Sequence, residues 1–257
     1  MTSRVKLAEW SGMKSLKTGV VAVAVAAVIG VIAPVSKASA GTAVTLSDNW
    51  SGIGDNGITV NAGGESYSGY PIGPQAVQIS PIGGTAYNVL AWCIDFTHNI
   101  NVPGTYTDYT LVPLTQSGLA SVSTLNTPQP HDLSTNQTLI NEINYLMDLG
   151  NTLLDSPSQT AANAIGSAIQ IAIWAELYPT TISYTGASTD VVTDVNNFLA
   201  DATANSGTQW GAEALISSNG EQQLAYGTDA VPEPATLALL TGGLIGLGVV
   251  RLRKRSV

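Results

Sequence analysis

Ala164-Ile165-Gly166-Ser167-Ala168-Ile169-Gln170-Ile171-Ala172-Ile173-Trp174 is the stretch on which the fold turns. It is apolar nearly all round, and a helix without a polar face is a buried one. It sits inside a predicted helix over Ser158–Tyr178, which Pro179 halts because proline can neither donate its N–H nor fit a helix interior. Upstream, Thr135–Leu149 carries Leu139, Ile143, Leu146 and Leu149 at helical spacing and meets Gly150, a residue that commonly stops helices. Downstream, Thr189–Ala204 predicts a third helix. Outside this helical block the sequence is strand-like. Thr42–Leu46, Gly57–Asn61, Ala76–Ile79, Tyr87–Phe96 and Thr105–Val112 precede it, rich in β-branched and aromatic residues. Turns at Asp55-Asn56-Gly57, Ala62-Gly63-Gly64 and Val102-Pro103-Gly104 separate them. Strands near Gln209–Ile216 and Gln222–Gly227 follow the helices. The pattern predicts an α+β domain over residues 41–230, a β-sandwich or barrel-like sheet with an inserted helical subdomain. It contains no internal repeat.

Charge narrows the function further. All nine Lys and Arg lie at the ends, at Arg4, Lys6, Lys14, Lys17 and Lys37 and at Arg251, Arg253, Lys254 and Arg255. Of the 18 carboxylates only Glu9 and Glu233 fall outside Gly41–Ala230, so 16 remain there with no Lys or Arg to balance them. Nucleic-acid recognition needs cations on phosphate and is excluded, and docking on anionic lipid is disfavoured. With 44% hydrophobic residues and 11% charged, the chain is neither a disordered acidic tail nor a coiled coil. The single cysteine, Cys93, rules out an internal disulfide framework and a cysteine-rich metal site.

The two ends read as addresses. Residues 1–40 have the order of a secretory signal peptide: a basic region to Lys17, an apolar run from Gly19 to Val35, and small residues at Ala38-Ser39-Ala40. Met13 offers an equally good start. Residues 231–257 begin with Val231-Pro232-Glu233-Pro234, continue through sixteen apolar or small residues, Ala235 to Val250, and end in a basic cluster from Arg251. A bilayer-spanning helix usually takes about 20 residues, so this predicted C-terminal membrane helix is short. Its basic end would stay cytoplasmic. The arrangement resembles the PEP-CTERM sorting signal of Gram-negative bacteria. That resemblance implies that an exosortase recognises Pro232, Glu233 and Pro234 and removes the tail, so anchoring through 235–250 is transient. It also implies export to the cell surface or extracellular matrix, in the company of exopolysaccharide and biofilm production.

Two residues between the ends invite chemistry. A lone cysteine in an exported protein meets oxidants unless it is protected, and Cys93 lies in Val89-Leu90-Ala91-Trp92-Cys93-Ile94-Asp95-Phe96. Gln170 lies in a helix with almost nothing else polar, and a buried amide is costly unless paired. Gly166, Gln170 and Trp174 share one face at four-residue spacing, and Gly166 would admit a close neighbour beside Gln170. On residues alone two readings stand: Cys93 as a small core hydrophobe with Gln170 bonded to a loop, or the pair as a reactive site.

Trp92-Cys93-Ile94-Asp95, followed by Ile169-Gln170-Ile171-Ala172-Ile173-Trp174, resembles the bacterial thioester domain of Gram-positive surface adhesins. The helix ending in Gly between the two motifs is echoed by Ile143–Gly150. The resemblance, over Tyr87 to Tyr178, implies a covalent bond between the Cys93 sulfur and the Gln170 side-chain carbonyl, formed with loss of ammonia. It implies a protein that couples once to an amine-bearing surface or matrix ligand, a covalent adhesin rather than a turnover enzyme, with no cofactor. Asp95, Gly166 and Trp174 would support the site, Asp95 through proton transfer or as a local hydrogen-bonding group. The alternatives are a non-reactive structural protein of the exopolysaccharide matrix and a carbohydrate-binding module.

Other constellations are weaker. A Cys93–His98 or Cys93–His131 hydrolase is disfavoured, because Cys93 and His98 would point to opposite faces of one strand. The two histidines lack zinc spacing, and Asp48, Asp55 and the Asp190/Asp194/Asp201 series lack a calcium-loop spacing. Tyr67, Tyr70, Tyr106, Tyr109 and Tyr184 would suit a sugar surface but are also ordinary strand residues.

Overall fold

A computed structural model describes residues 41–122, 133–155, 158–208 and 211–228. The predicted signal peptide, His131 and the predicted sorting tail with Pro232, Glu233 and Pro234 lie outside the described residues. Six strands close into an antiparallel barrel: β1 (Thr42–Trp50), β4 (Gln75–Pro81), β5 (Tyr87–Cys93), β9 (Leu224–Gly227), β8 (Ala212–Ser217) and β6 (Gly104–Pro113), in that order around the wall. Closure, rather than two packed sheets, decides between barrel and sandwich: β6 pairs β1 on one side, with Thr42 opposite Leu111, and β8 on the other, with Thr110 opposite Ile216. Three short strands, β2 (Thr59–Ala62), β3 (Glu65–Tyr67) and β7 (Ser183–Thr185), form a separate sheet in the order β3-β2-β7. Gly63 and Gly64, at φ +59 and +91, make the β2–β3 turn in the left-handed region that glycine tolerates best.

Strand alternation sets what lines the barrel. Along β1, Val44, Leu46 and Asp48 are buried while Thr42, Ala43 and Asn49 are exposed, so the buried series points inward. The same alternation carries Gln75, Val77 and Ile79 inward on β4. On β5 the split is by face: Ala91 and Cys93 lie on the interior side, and Trp92 turns outward against a helix.

That helix belongs to the segment between β6 and β8, which carries α1 (Gln116–Ala120), α2 (Gln137–Leu153), α3 (Gln159–Leu177) and α4 (Thr189–Asn205). Helix α3 is buried without interruption from Gly166 to Trp174, as its uniform apolarity predicts. It packs against α2, α4 and β5. Ser158 caps its start by accepting from the Ala161 N–H, and Tyr178, just before Pro179, closes its end. Three sequence expectations are corrected. Gly150 does not stop α2, which runs on to Leu153; it is the point where the helix meets Trp92, and a Cβ there would stand 2.5 Å from the indole Cζ2. Strand β5 ends at Cys93, short of Phe96, and β2 begins at Thr59 rather than Gly57. Strands β3 and β7, each three residues long, were too short to leave a period in the sequence. Among the described residues no helix is long and apolar enough to cross a membrane.

Candidate functional site

Cys93 is the last residue of β5, and that position exposes its backbone. On one flank β5 pairs with β9, Cys93 opposite Leu224, and the Ile94 N–H donates to Gln223 O at 3.1 Å. In an antiparallel ladder neighbouring residues bond to opposite sides, so the Cys93 N–H and C=O face the other flank. There β4 pairing has ended at Gln75 opposite Ala91. Gln170 takes the vacant rung. The Cys93 N–H donates to Gln170 Oε1 at 3.0 Å, and Gln170 Nε2 donates to Cys93 O at 2.9 Å. A fully buried amide from a helix thus stands in for a missing strand, 77 residues away in sequence.

The partners expected on the Gln170 face each have a place. Gly166 lies against Ile53 and Pro74: an added Cβ would stand 2.5 Å from Ile53 Cγ2 and 3.2 Å from Pro74 Cδ. The next residue, Ser167, ties the same loop by accepting from the Asp55 N–H and donating to Ile72 O, each at 2.8 Å. Trp174 meets Phe96 edge-to-face with centroids 4.9 Å apart, and Tyr67 at 6.3 Å. Tyr67, Phe96 and Trp174 thus form one aromatic cluster at the end of α3 beyond Gln170.

Asp95 is fully buried and already engaged. Its Oδ1 accepts from the Thr97 N–H at 2.9 Å and the Thr97 hydroxyl at 3.0 Å, and its Oδ2 lies 2.8 Å from His98 Nδ1. It organises the turn that leaves β5, and His98 is spent on Asp95.

The thiol has neighbours that the sequence did not announce. Gln75 Nε2 donates to Cys93 Sγ at 3.6 Å and to Gln222 Oε1 at 3.4 Å. Gln222 Nε2 donates to Asp95 O at 3.2 Å, and the Tyr109 hydroxyl donates to Gln222 O at 2.6 Å. Asp48 also faces this space. Burial, with the charges of Asp48 and then Asp95, pushes the Cys93 thiol well up from its ordinary range. The alternation Val44, Leu46, Asp48 was the available signal for Asp48, but the predicted strand stopped at Leu46. Gln75 and Gln222 sit at strand ends in ordinary polar sequence, and only the closed barrel unites them.

The remaining candidates do not converge here. Two surface hollows, one lined by Tyr87, Asn151, Glu213 and Tyr226 and one by Asp55, Ser158, Asn163 and Asp190, lie away from Cys93. No group of three His, Cys, Asp or Glu suited to a metal ion occurs among the described residues.

A closed antiparallel barrel with helices delivering a glutamine amide to a strand-end cysteine is the class of domain these elements define. Residues 230–255 match the PEP-CTERM protein-sorting motif. The motif marks an exported protein with a C-terminally membrane-anchored precursor and implies processing by an exosortase. No curated protein matches the sequence. Among solved structures, the thioester domain of the Staphylococcus aureus TIE protein is similar, at TM-score 0.36 and 13% identity, over 74% of this chain and 81% of that chain.

Proposed function

We propose that this exported protein forms a thioester between Cys93 and Gln170 and couples once, through Gln170, to an amine on a surface or matrix partner. The observation that carries the reading is the reciprocal pairing of the Gln170 amide with the backbone of the one cysteine in the chain. In formation, the Cys93 sulfur adds to the Gln170 side-chain carbonyl, the C–N bond breaks and ammonia leaves. The pairing keeps the Cys93 N–H on the carbonyl oxygen while charge develops there, which is how an oxyanion is stabilised. A site that disfavours a buried thiolate favours a neutral thioester in its place. Coupling reverses the roles: an amine nitrogen bonds to the carbonyl carbon, the C–S bond breaks, and the product is an amide with a free thiol. Burial of Cys93 limits competition by water. The lack of Lys from Gly41 to Val231 leaves the mature domain without a side-chain amine with which to couple its own copies. The action is single-use adhesion, not turnover, and the matrix with its exopolysaccharide is the expected setting.

A structural matrix protein with no working thioester is the second reading, favoured by the fact that the Gln170 amide already satisfies two backbone groups where it stands. Intact mass separates the two. Protein purified without amine buffers is expected to be lighter than its sequence by one ammonia, and to gain one methylamine on exposure to it. Cys93→Ala is expected to abolish both changes. A full sequence mass with Cys93 alkylated after unfolding would leave the structural reading.

A further inference from the structure

The end of the barrel that holds Cys93 also holds a buried acid with no side-chain partner. It is formed where β1, β5 and β8 end and β4, β6 and β9 begin. Asp48 projects into it from β1, opposite Val77 on β4 and Gly104 on β6. It is 1% exposed, yet neither carboxyl oxygen has a well-formed hydrogen bond among the described residues. Gln75, whose amide nitrogen touches the thiol, has its Oε1 equally buried and unpartnered. Gln75 Oε1 thus stands without a donor, and the Asp48 oxygens have only the Asn49 N–H, outside normal hydrogen-bond geometry. Buried acceptors are normally satisfied, and each such exception calls for a reason.

A primary ammonium supplies three donors and one positive charge, which suits these three oxygens. It is also the form in which an alkyl amine exists at neutral pH, because its pKa is about 10.4, and in that form it cannot attack a carbonyl. The geometry points to Asp48, assisted by Gln75 Oε1, as the group that receives the incoming ammonium and takes its proton before the nitrogen attacks the Gln170 carbonyl. This rests on the thioester reading above. In the balanced step the ammonium gives one proton to the Asp48 carboxylate and its nitrogen bonds to the carbonyl carbon. The C–S bond then breaks, and the second nitrogen proton goes to the departing sulfur. The products are an amide, the Cys93 thiol and a protonated Asp48.

The surroundings suit this work. Burial raises the Asp48 pKa to about 7, outweighing the Asn49 backbone N–H that lowers it, and a proton acceptor is most effective near the working pH. The titratable groups facing Asp48 are Cys93 on β5 and Tyr106 and Tyr109 on β6, all with pKa values raised by burial first. The other carboxylates at this end are occupied. Asp95 is held by Thr97 and His98, while Asp108 and Glu221 share the Ser217 hydroxyl, and hydrogen bonding holds Asp108 below the usual range despite some burial.

The test is the pH dependence of methylamine uptake by the purified full chain, followed by intact mass and compared with Asp48→Asn. If Asp48 takes the proton from a bound ammonium, the wild-type rate rises to about pH 7 and then levels, because carboxylate and ammonium coexist from there to about pH 10. Attack by free amine alone would instead rise about tenfold per pH unit over the same range. Asp48→Asn is expected to show that steep rise, with a rate at neutral pH lowered by about a hundredfold. Hydroxylamine, unprotonated at neutral pH, is expected to react with both proteins at similar rates, an equality that a merely structural role for Asp48 would not produce. A wild-type rate that climbs tenfold per unit beyond pH 7, with the ammonia deficit present, overturns the role of Asp48 alone. Absence of the deficit in the wild type overturns the thioester and this proposal together.

Discussion

Cys93 and Gln170 make opposite demands on stability, and their substitution separates a cross-link from a contact. Replacing Gln170 by Ala strands the Cys93 N–H and C=O in a dry site, at about 1–3 kcal/mol for each buried group. Replacing Cys93 by Ala removes one sulfur and leaves the amide pairing intact, a loss of about 1 kcal/mol for a small core truncation. A covalent bond changes the second figure. Closing a loop of 77 residues restricts the unfolded chain by about 4.5 kcal/mol, on the entropy model used for disulfides. Cys93→Ala is therefore expected to lower unfolding stability by about 4 kcal/mol in urea titration, the loop and truncation terms together less the hydrogen bond to the residue 93 carbonyl that the retained Gln170 Nε2 restores. Methylamine-treated wild type should fall by most of that amount, since it keeps the thiol but loses the link. A Cys93→Ala loss of only about 1 kcal/mol would mean that no cross-link was present.

At the scale of elements, two glycines in helices act as contact surfaces. In an exposed helix Gly→Ala gains about 1 kcal/mol. Gly150→Ala is expected to do the reverse, losing about 1–3 kcal/mol, because its new Cβ would press on the rigid Trp92 ring at 2.5 Å. Gly166→Ala would press on Ile53 Cγ2 and Pro74, shifting α3 where it carries Gln170. Its signature in mass spectrometry is a smaller fraction of the ammonia-deficient form at a modest cost in stability. The helices were legible because their period and capping residues are local: Ser158 and Pro179 bracket α3 in the sequence as in the fold. Most strands were legible for the same reason. Gly150 was misread because a glycine that stops a helix and one that admits a tryptophan look alike until the partner is known. The rung that Gln170 fills was legible as an unexplained buried amide, but its partner was not, since β4 ends where it does only in the assembled barrel. Asp48 was weighed in the sequence only as a calcium ligand, because its place at the Cys93 end depends on three strands meeting there.

Across the whole molecule, the acid balance of residues 41–230 couples stability to pH in an unusual direction. Burial pushes the Asp48 carboxyl up from its ordinary 3.8 to about 7 and likewise lifts the half-buried Glu176 from 4.5 to about 7, with Glu142 adding to the rise. Between those values the folded protein holds protons that the unfolded chain has released. The stabilisation is then complete below about pH 4, declines as pH rises through the folded pKa values, and is gone above about pH 7. Mutual repulsion among 16 carboxylates without Lys or Arg acts in the same sense, because more of them are ionised as pH rises. Thermal unfolding is therefore expected at a higher temperature near pH 5 than near pH 8. Added salt should raise the midpoint more at the higher pH, since it screens exposed charges. Asp48→Asn isolates the buried contribution: it keeps the shape, removes the proton equilibrium and is expected to flatten the decline, so the variant gains on the wild type near pH 8. If the decline is unchanged in Asp48→Asn but vanishes in high salt, surface repulsion alone accounts for it. A stability that instead rose from pH 5 to pH 8 would mean that Asp48 is paired and ionised in solution, and the same carboxylate could then neither await an ammonium nor accept its proton.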